Sequence, residues 1–91
     1  MAAKKRDRLE IIRDILKAIR ETREIKPTRL LYASNLSPQM FKEYINELIS
    51  KKFILLEINE QDKKNFSLTP KGNNFLQEYR AIEEFVDNFG L

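Results

Sequence analysis

Apolar residues return at three- and four-residue steps in three stretches of this chain, the period of a helix that buries one face. In the first stretch Leu9, Ile12, Leu16 and Ile19 hold one face, and Ile11 and Ile15 widen it. This predicts a helix from Asp7 to about Arg23. Asp7 suits the N-cap, and Glu10 stands three residues on, where it can reach back. Arg13, Lys17, Arg20 and Arg23 fall largely on the other side, with Glu10 and Asp14 at helical spacing as partners for Arg13 and Lys17. The expectation is a scaffold helix with a solvated face.

In the second stretch Phe41, Tyr44, Ile45, Leu48 and Ile49 share a face between Ser37 and Lys52. Ser37 offers a capping hydroxyl, and Pro38 fits the first helical position, where a missing N–H costs nothing. In the third, Gly72, Phe75, Tyr79, Ile82, Val86 and Phe89 form a heptad seam that Leu76 and Phe85 widen. Thr69-Pro70 repeats the cap-and-proline start, so a helix of about 30 Å is expected from Pro70 to about Asn88.

The connections complete the order. Glu21 to Lys26 reads as a turn without glycine. Pro27 opens a short helix through Ala33, whose Leu30, Leu31 and Ala33 can pack between the longer helices. Ser34-Asn35-Leu36 follows as a bridge, with Asn35 suited to a left-handed turn and Leu36 to plugging the hinge. Phe53 to Ile58 is short and rich in β-formers, and Asn65 to Leu68 alternates with period two. The polar run Asn59 to Lys64 between them makes a hairpin with a long tip. Helix, short helix, tight turn, helix, hairpin and helix is the order of a winged helix-turn-helix, a mainly α (α+β) fold. Residues 1–6 then read as a disordered basic arm, 7–69 as the winged helix-turn-helix domain and 70–91 as a coiled-coil dimerisation helix.

On this order the Ser37–Lys52 helix is the recognition helix. Its exposed side carries Gln39, Lys42, Glu43, Asn46, Glu47 and Ser50, and amides and serine are residue types that read base edges. By itself the stretch suits an ordinary amphipathic core helix equally or better; its neighbours favour recognition. The candidate contacts to double-stranded DNA are Gln39, Lys42 and Asn46 in the major groove. Ser37, Lys26 and Arg29, and Lys63 and Lys64 on the wing are the candidates for phosphates. Glu60 and Asp62 nearly balance the wing, so a solvated loop is an even alternative there. Lys4, Lys5, Arg6 and Arg8 are further candidates for phosphate contact.

The last helix is longer than the core it can cover. Its second half, with Ile82, Phe85, Val86 and Phe89, has nothing left in 91 residues to bury it. An exposed aromatic stripe of that size marks an interface. Phe75, Tyr79, Ile82, Phe85, Val86 and Phe89 are therefore the candidate interface of a homodimer of antiparallel C-terminal helices. The alternative is that they fold back on the first helix.

Charge sharpens this. Net charge is only +3, but residues 1–29 hold ten Lys/Arg against five Asp/Glu, and residues 72–91 hold one against four. The basic end suits a polyanion and the acidic end should face away from it. With no histidine and no cysteine, zinc sites, Ser-His-Asp triads and thiol nucleophiles are excluded. The two glycines, Gly72 and Gly90, cannot make a phosphate-cradling loop. Enzymatic activity, cofactors, metals and a small-molecule ligand are not expected. No apolar run is long enough to span a membrane, and the basic start leads into an amphipathic helix instead of a signal sequence. The expected location is the cytoplasm, at the nucleoid.

Three stretches, LEIIRDILKAI, TRLLYASNLSPQMFKEYINELISKKFI and FSLTPKGNNFL, carry a resemblance. The chain resembles, over about residues 8–89, the archaeal winged-helix family of small DNA-binding proteins. That family is typified by the ten-kilodalton chromatin-associated protein of Sulfolobus, and archaellum-regulator-like winged helices are similar. The resemblance implies a winged helix whose last helix forms an antiparallel coiled-coil dimer, and binding to duplex DNA as a chromatin protein or transcription regulator. By position, Tyr32 to Leu36 maps onto the turn between the two helices of the motif. Ser37, Gln39, Lys42, Tyr44 and Asn46 fall in the recognition helix, with Tyr44 kept in the core. Two departures stand out: Lys52 where many winged helices have glycine, and Glu43 and Glu47 on the reading face. A protein-protein adaptor built on the same fold is the other functional reading.

Overall fold

Asp7 opens the first helix as its sequence predicts. In the structure, a computed structural model that describes residues 5–91, its carboxylate accepts from the Glu10 N–H while Glu10 reaches back to the Asp7 N–H. Helix α1 (Arg8–Thr22) buries Ile11, Ile12, Ile15, Leu16 and Ile19. Leu9 departs from its expected place: it is 52% exposed, lying in the first turn beside the projecting half of the last helix. The expected Glu10 and Asp14 pairs along α1 also differ. Asp14 bonds Arg6 and Arg13, and Arg13 reaches on to Glu83 of the last helix.

Arg6, expected in a mobile arm, is instead held. Its guanidinium donates to Asp14 at 2.8 Å and to the carbonyls of Ser34 at 2.8 Å and Asn35 at 3.3 Å. A cation there satisfies carbonyls that a helix C-terminus leaves without partners. Lys4 lies outside the described residues.

Helix α2 (Pro27–Ser34) ends at Asn35, which takes the left-handed conformation (φ 54°, ψ 41°) that the bridge requires. Leu30 and Ser34, one turn apart, form its buried edge, and Ala33, expected to pack, is exposed. Ser34 tolerates burial because its hydroxyl donates to the Leu31 carbonyl at 2.8 Å. Helix α3 (Pro38–Ser50) follows, with Ile45 and Leu48 buried and Phe41, Tyr44 and Ile49 packed against the core.

Strands β1 (Ile54–Ile58) and β2 (Lys64–Leu68) pair antiparallel, with Leu56 opposite Phe66. Phe66 also exchanges both backbone hydrogen bonds with Ile25, at 3.1 and 2.8 Å. Ile25 is thus a third strand reduced to one residue, where the sequence suggested only a turn. One apolar residue between Glu24 and Lys26 has no period to detect. The chain reaches it through a γ-turn at Arg23 (φ 66°, ψ −66°), closed by Glu24 N–H to the Thr22 carbonyl.

The wing tip is tight, not long. The Asn59 side chain accepts from the N–H groups of Gln61 and Lys63, its backbone pairs with Lys63, and Asp62 is left-handed (φ 59°). That is a three-residue loop, Glu60-Gln61-Asp62. Lys63 sits at its base, and Lys64, expected on the tip, is the first residue of β2.

The end of α3 explains how Lys52 replaces glycine. Lys52 N–H donates to Ile49 and Phe53 N–H to Leu48, a Schellman closure with Lys52 left-handed at φ 65°. A side chain costs about 1–2 kcal/mol in that conformation. Lys52→Gly is expected to stabilise the fold by about 0.5–1 kcal/mol, since glycine gives back part of the gain as chain entropy. Urea denaturation of both proteins measures this, and an unchanged midpoint would count against the assigned strain.

The last helix, α4 (Pro70–Asn88), is anchored on that same turn. Thr69 caps it by accepting from Gly72 N–H at 3.1 Å, and the Thr69 N–H donates to the Phe53 carbonyl. Lys71 donates to the Lys51 carbonyl at 2.9 Å and lies over the Phe53 ring. Gly72 sits so close that a Cβ would overlap the Phe53 carbonyl oxygen. Leu76 completes the core, and Phe75 meets Phe53 edge-on at 5.8 Å. Beyond it α4 leaves the body: Ile82 is 62%, Phe85 58% and Phe89 68% exposed.

Candidate nucleic-acid interface

Helix α3 is positioned by its two ends. Ser37 Oγ accepts from Met40 N–H at 3.3 Å, which holds the first turn and leaves its own O–H free to donate. The Schellman closure holds the other end. Burial of Ile45 and Leu48 turns the opposite side outward, so Gln39, Lys42, Glu43, Asn46 and Ser50 are exposed.

All eight sequence-predicted DNA contacts are exposed: Lys26, Arg29, Ser37, Gln39, Lys42, Asn46, Lys63 and Lys64. Four of them, Ser37, Gln39, Lys42 and Asn46, are brought together on α3 or its cap. Lys26 precedes α2 as its N-cap without a side-chain capping bond, and Arg29 lies in that helix's first turn. Lys63 and Lys64 stand on the hairpin, behind an acidic tip. Among the described residues none of the five cations in this set is in an ion pair, so none must break one to meet a phosphate.

The two acids of the reading face differ. Glu47 is paired with Arg8, from the start of α1, and with Lys51 at 3.7 Å, so its charge is compensated within the chain. Among the described residues Glu43 has only a hydrogen bond from Gln39 Nε2, at 3.3 Å. Arg8, expected as a phosphate contact, therefore also serves as the partner of Glu47 and lies over the Tyr44 ring. Sequence spacing held no signal for this pair, because 39 residues separate its members.

The charged network behind α1 is structural. Burial alone would raise the Asp14 carboxyl, but hydrogen bonds from Arg6 and Arg13 and their charges outweigh it and hold its pKa below the usual range. A lowered carboxylate pKa contributes stability that is complete above the unfolded value, about 3.9, and is lost as pH falls through the folded value. Asp14→Asn should cost roughly 1 kcal/mol at pH 7, with the gap to the parent closing below about pH 4. Denaturation at pH 7 and pH 3 checks both the size and the sign. A gap that widens in acid would refute the assignment.

The six candidate interface residues of α4 divide. Phe75 and Tyr79 are half-buried in their own chain, Phe75 on Phe53 and Tyr79 beneath the Arg13 guanidinium at 5.3 Å. Ile82, Phe85 and Phe89 are open, and Val86 is half-covered. Leu9 joins Tyr79, Ile82 and Val86 around one shallow groove, an addition that helical spacing in α1 did not suggest. On β1, Leu55, Leu56 and Ile58 are exposed as well.

The winged helix-turn-helix family profile matches residues 5–87. Two uncharacterized proteins of Methanocaldococcus jannaschii are similar to the chain. MJ0290 is 36% identical over 82 residues, covering 90% of this chain and 36% of that protein. MJ0287 is 36% identical over 84 residues, covering 92% of this chain and 80% of that protein. The chain thus spans about a third of the length of the first. Among solved structures, Sso10a-2, a DNA-binding protein from Sulfolobus solfataricus, superposes with a TM-score of 0.76 at 20% identity. That match covers 92% of this chain and 85% of the other. MepR, a transcription regulator of the Staphylococcus aureus multidrug efflux pump MepA, gives 0.76 at 16%, covering 87% and 60%. At these identities the likeness establishes the fold.

Proposed function

The chain belongs to the winged helix-turn-helix family, and from that membership we propose that it binds duplex DNA as a homodimer, with α3 in the major groove. The observation that carries this is the outward face of α3, where Gln39, Lys42 and Asn46 stand beside the free hydroxyl of Ser37. Lys26 and Arg29 at the start of α2 and Lys63 and Lys64 of the wing, in no ion pair among the described residues, supply charge for phosphates. Sso10a-2 and MepR, a DNA-binding protein and a transcription regulator of the same fold, support the reading. The role is that of a transcription regulator or chromatin-associated protein at the nucleoid. Among the described residues no helix is long and apolar enough to cross a membrane.

Fluorescence anisotropy against random duplex DNA, titrated with salt, tests the binding. Affinity should fall with a log–log slope of about −0.9 for each phosphate neutralised. A slope near zero would sink the proposal.

The dimer forms through the open half of α4, where Ile82, Phe85 and Phe89 are exposed and Val86 is half-covered. It presents two recognition helices, so specific sites consist of half-sites about 34 Å apart or multiples of that. Light scattering should give twice the 10.9 kDa chain mass. Ile82→Glu with Phe85→Glu should reduce it to a single chain with the helix content unchanged, since both side chains are exposed. A dimer that survives both changes places the interface elsewhere. The exposed Leu55, Leu56 and Ile58 favour a second reading, a winged-helix adaptor for another protein.

A further inference from the structure

Glu43 occupies the outermost position of the recognition helix. It is two residues from the buried Ile45, which places it about 160° round the helix, facing away from the core. Its flanks are Gln39 and Asn46, both amides and both exposed. Unlike Glu47, which Arg8 and Lys51 compensate, Glu43 is in no ion pair among the described residues. Whatever enters the groove with α3 therefore carries an uncompensated carboxylate at its leading edge.

A carboxylate only accepts hydrogen bonds. Guanine presents two acceptors in the major groove and thymine one, so neither can meet it. Adenine offers its N6 amino group beside the N7 acceptor, which repels the second carboxylate oxygen. Cytosine offers the N4 amino group without such a neighbour. Gln39 donates from Nε2 to Glu43 Oε1 at 3.3 Å, which steadies the carboxylate while Oε2 can accept from a base.

Resting on the DNA-binding reading above, we propose that Glu43 is a specificity-determining residue that selects a cytosine in each half-site and penalises binding elsewhere. The protein would then discriminate among sequences instead of coating DNA uniformly. Replacing the preferred base should weaken binding roughly five- to 100-fold. Glu43→Gln should bind random duplex more tightly, because a like charge among the phosphates is removed. Its amide should also shift the preference toward adenine.

The test is selection from a randomised duplex library with the unmodified protein, Glu43→Gln and Glu47→Gln, followed by anisotropy on the selected and random duplexes. The expected result is one enriched cytosine per half-site for the unmodified protein and for Glu47→Gln, lost in Glu43→Gln. Circular dichroism checks that the substitutions, at the exposed Glu43 and the half-buried Glu47, leave the fold intact. Three results would overturn the proposal: no base enriched by the unmodified protein, the same site selected by Glu43→Gln, or a preference lost only in Glu47→Gln. Retention of no duplex by any of the three proteins, in folded samples at low salt, would remove the DNA-binding reading itself and the proposal with it.

Discussion

Gly72→Ala is expected to destabilise the fold by about 3 kcal/mol, despite alanine being the better helix former. A Cβ at this position overlaps the Phe53 carbonyl oxygen and comes within 3.2 Å of Leu68 Cδ2. The obstacle is backbone, so it cannot rotate away. The same carbonyl accepts from the Thr69 N–H at 3.1 Å and lies 3.0 Å from the Thr69 hydroxyl. Moving it would loosen the cap of α4 together with the start of β1. The helical preference of alanine recovers no more than about 1 kcal/mol. For a domain of this size the net loss lowers the melting temperature on the order of 10–20 °C. Thermal unfolding followed by circular dichroism measures it. A melting temperature equal to the parent's would mean that α4 does not approach Phe53 this closely.

Arg29→Glu combined with Lys42→Glu is expected to weaken duplex binding roughly 100-fold or more at physiological salt, since two favourable charges become two repulsive ones. Both side chains are exposed and in no ion pair among the described residues, so folding and the mass in solution should not change. The double variant also separates the two functional readings. A DNA-binding protein loses its ligand, whereas an adaptor that docks through α4 or the exposed leucines of β1 keeps its protein partner. Binding curves that overlay those of the parent would place the DNA contacts on another face.

The elements were legible because each is written in local chemistry. Asp7 with Glu10, Ser37 with Pro38, and Thr69 with Pro70 are caps that act within one turn, and all three hold. The exposed side of α3 followed from the period of Ile45 and Leu48. The misplacements share a cause as well. Leu9 and Ala33 sit at apolar spacing but only line shallow grooves against α4 and α1 that leave them exposed, whereas Ser34 is buried. The wing tip looks long in the sequence because its left-handed turn carries Asp62 instead of glycine.

The sequence by itself determined the order of helices and strands, the outward face of α3 and the excess length of α4, because periodicity and capping involve residues within a few positions of one another. Only the tertiary structure decided how the charges are spent. Arg6 holds the carbonyls at the end of α2, Arg8 neutralises Glu47, and Arg13 joins Asp14 to Glu83, while Glu43 is in no ion pair among the described residues. It alone decided that Ile25 pairs with Phe66 and that Gly72 touches Phe53. These contacts join residues far apart in the chain, and no spacing rule relates them. They are set when packing brings the surfaces together and each buried carbonyl or charge must find a partner.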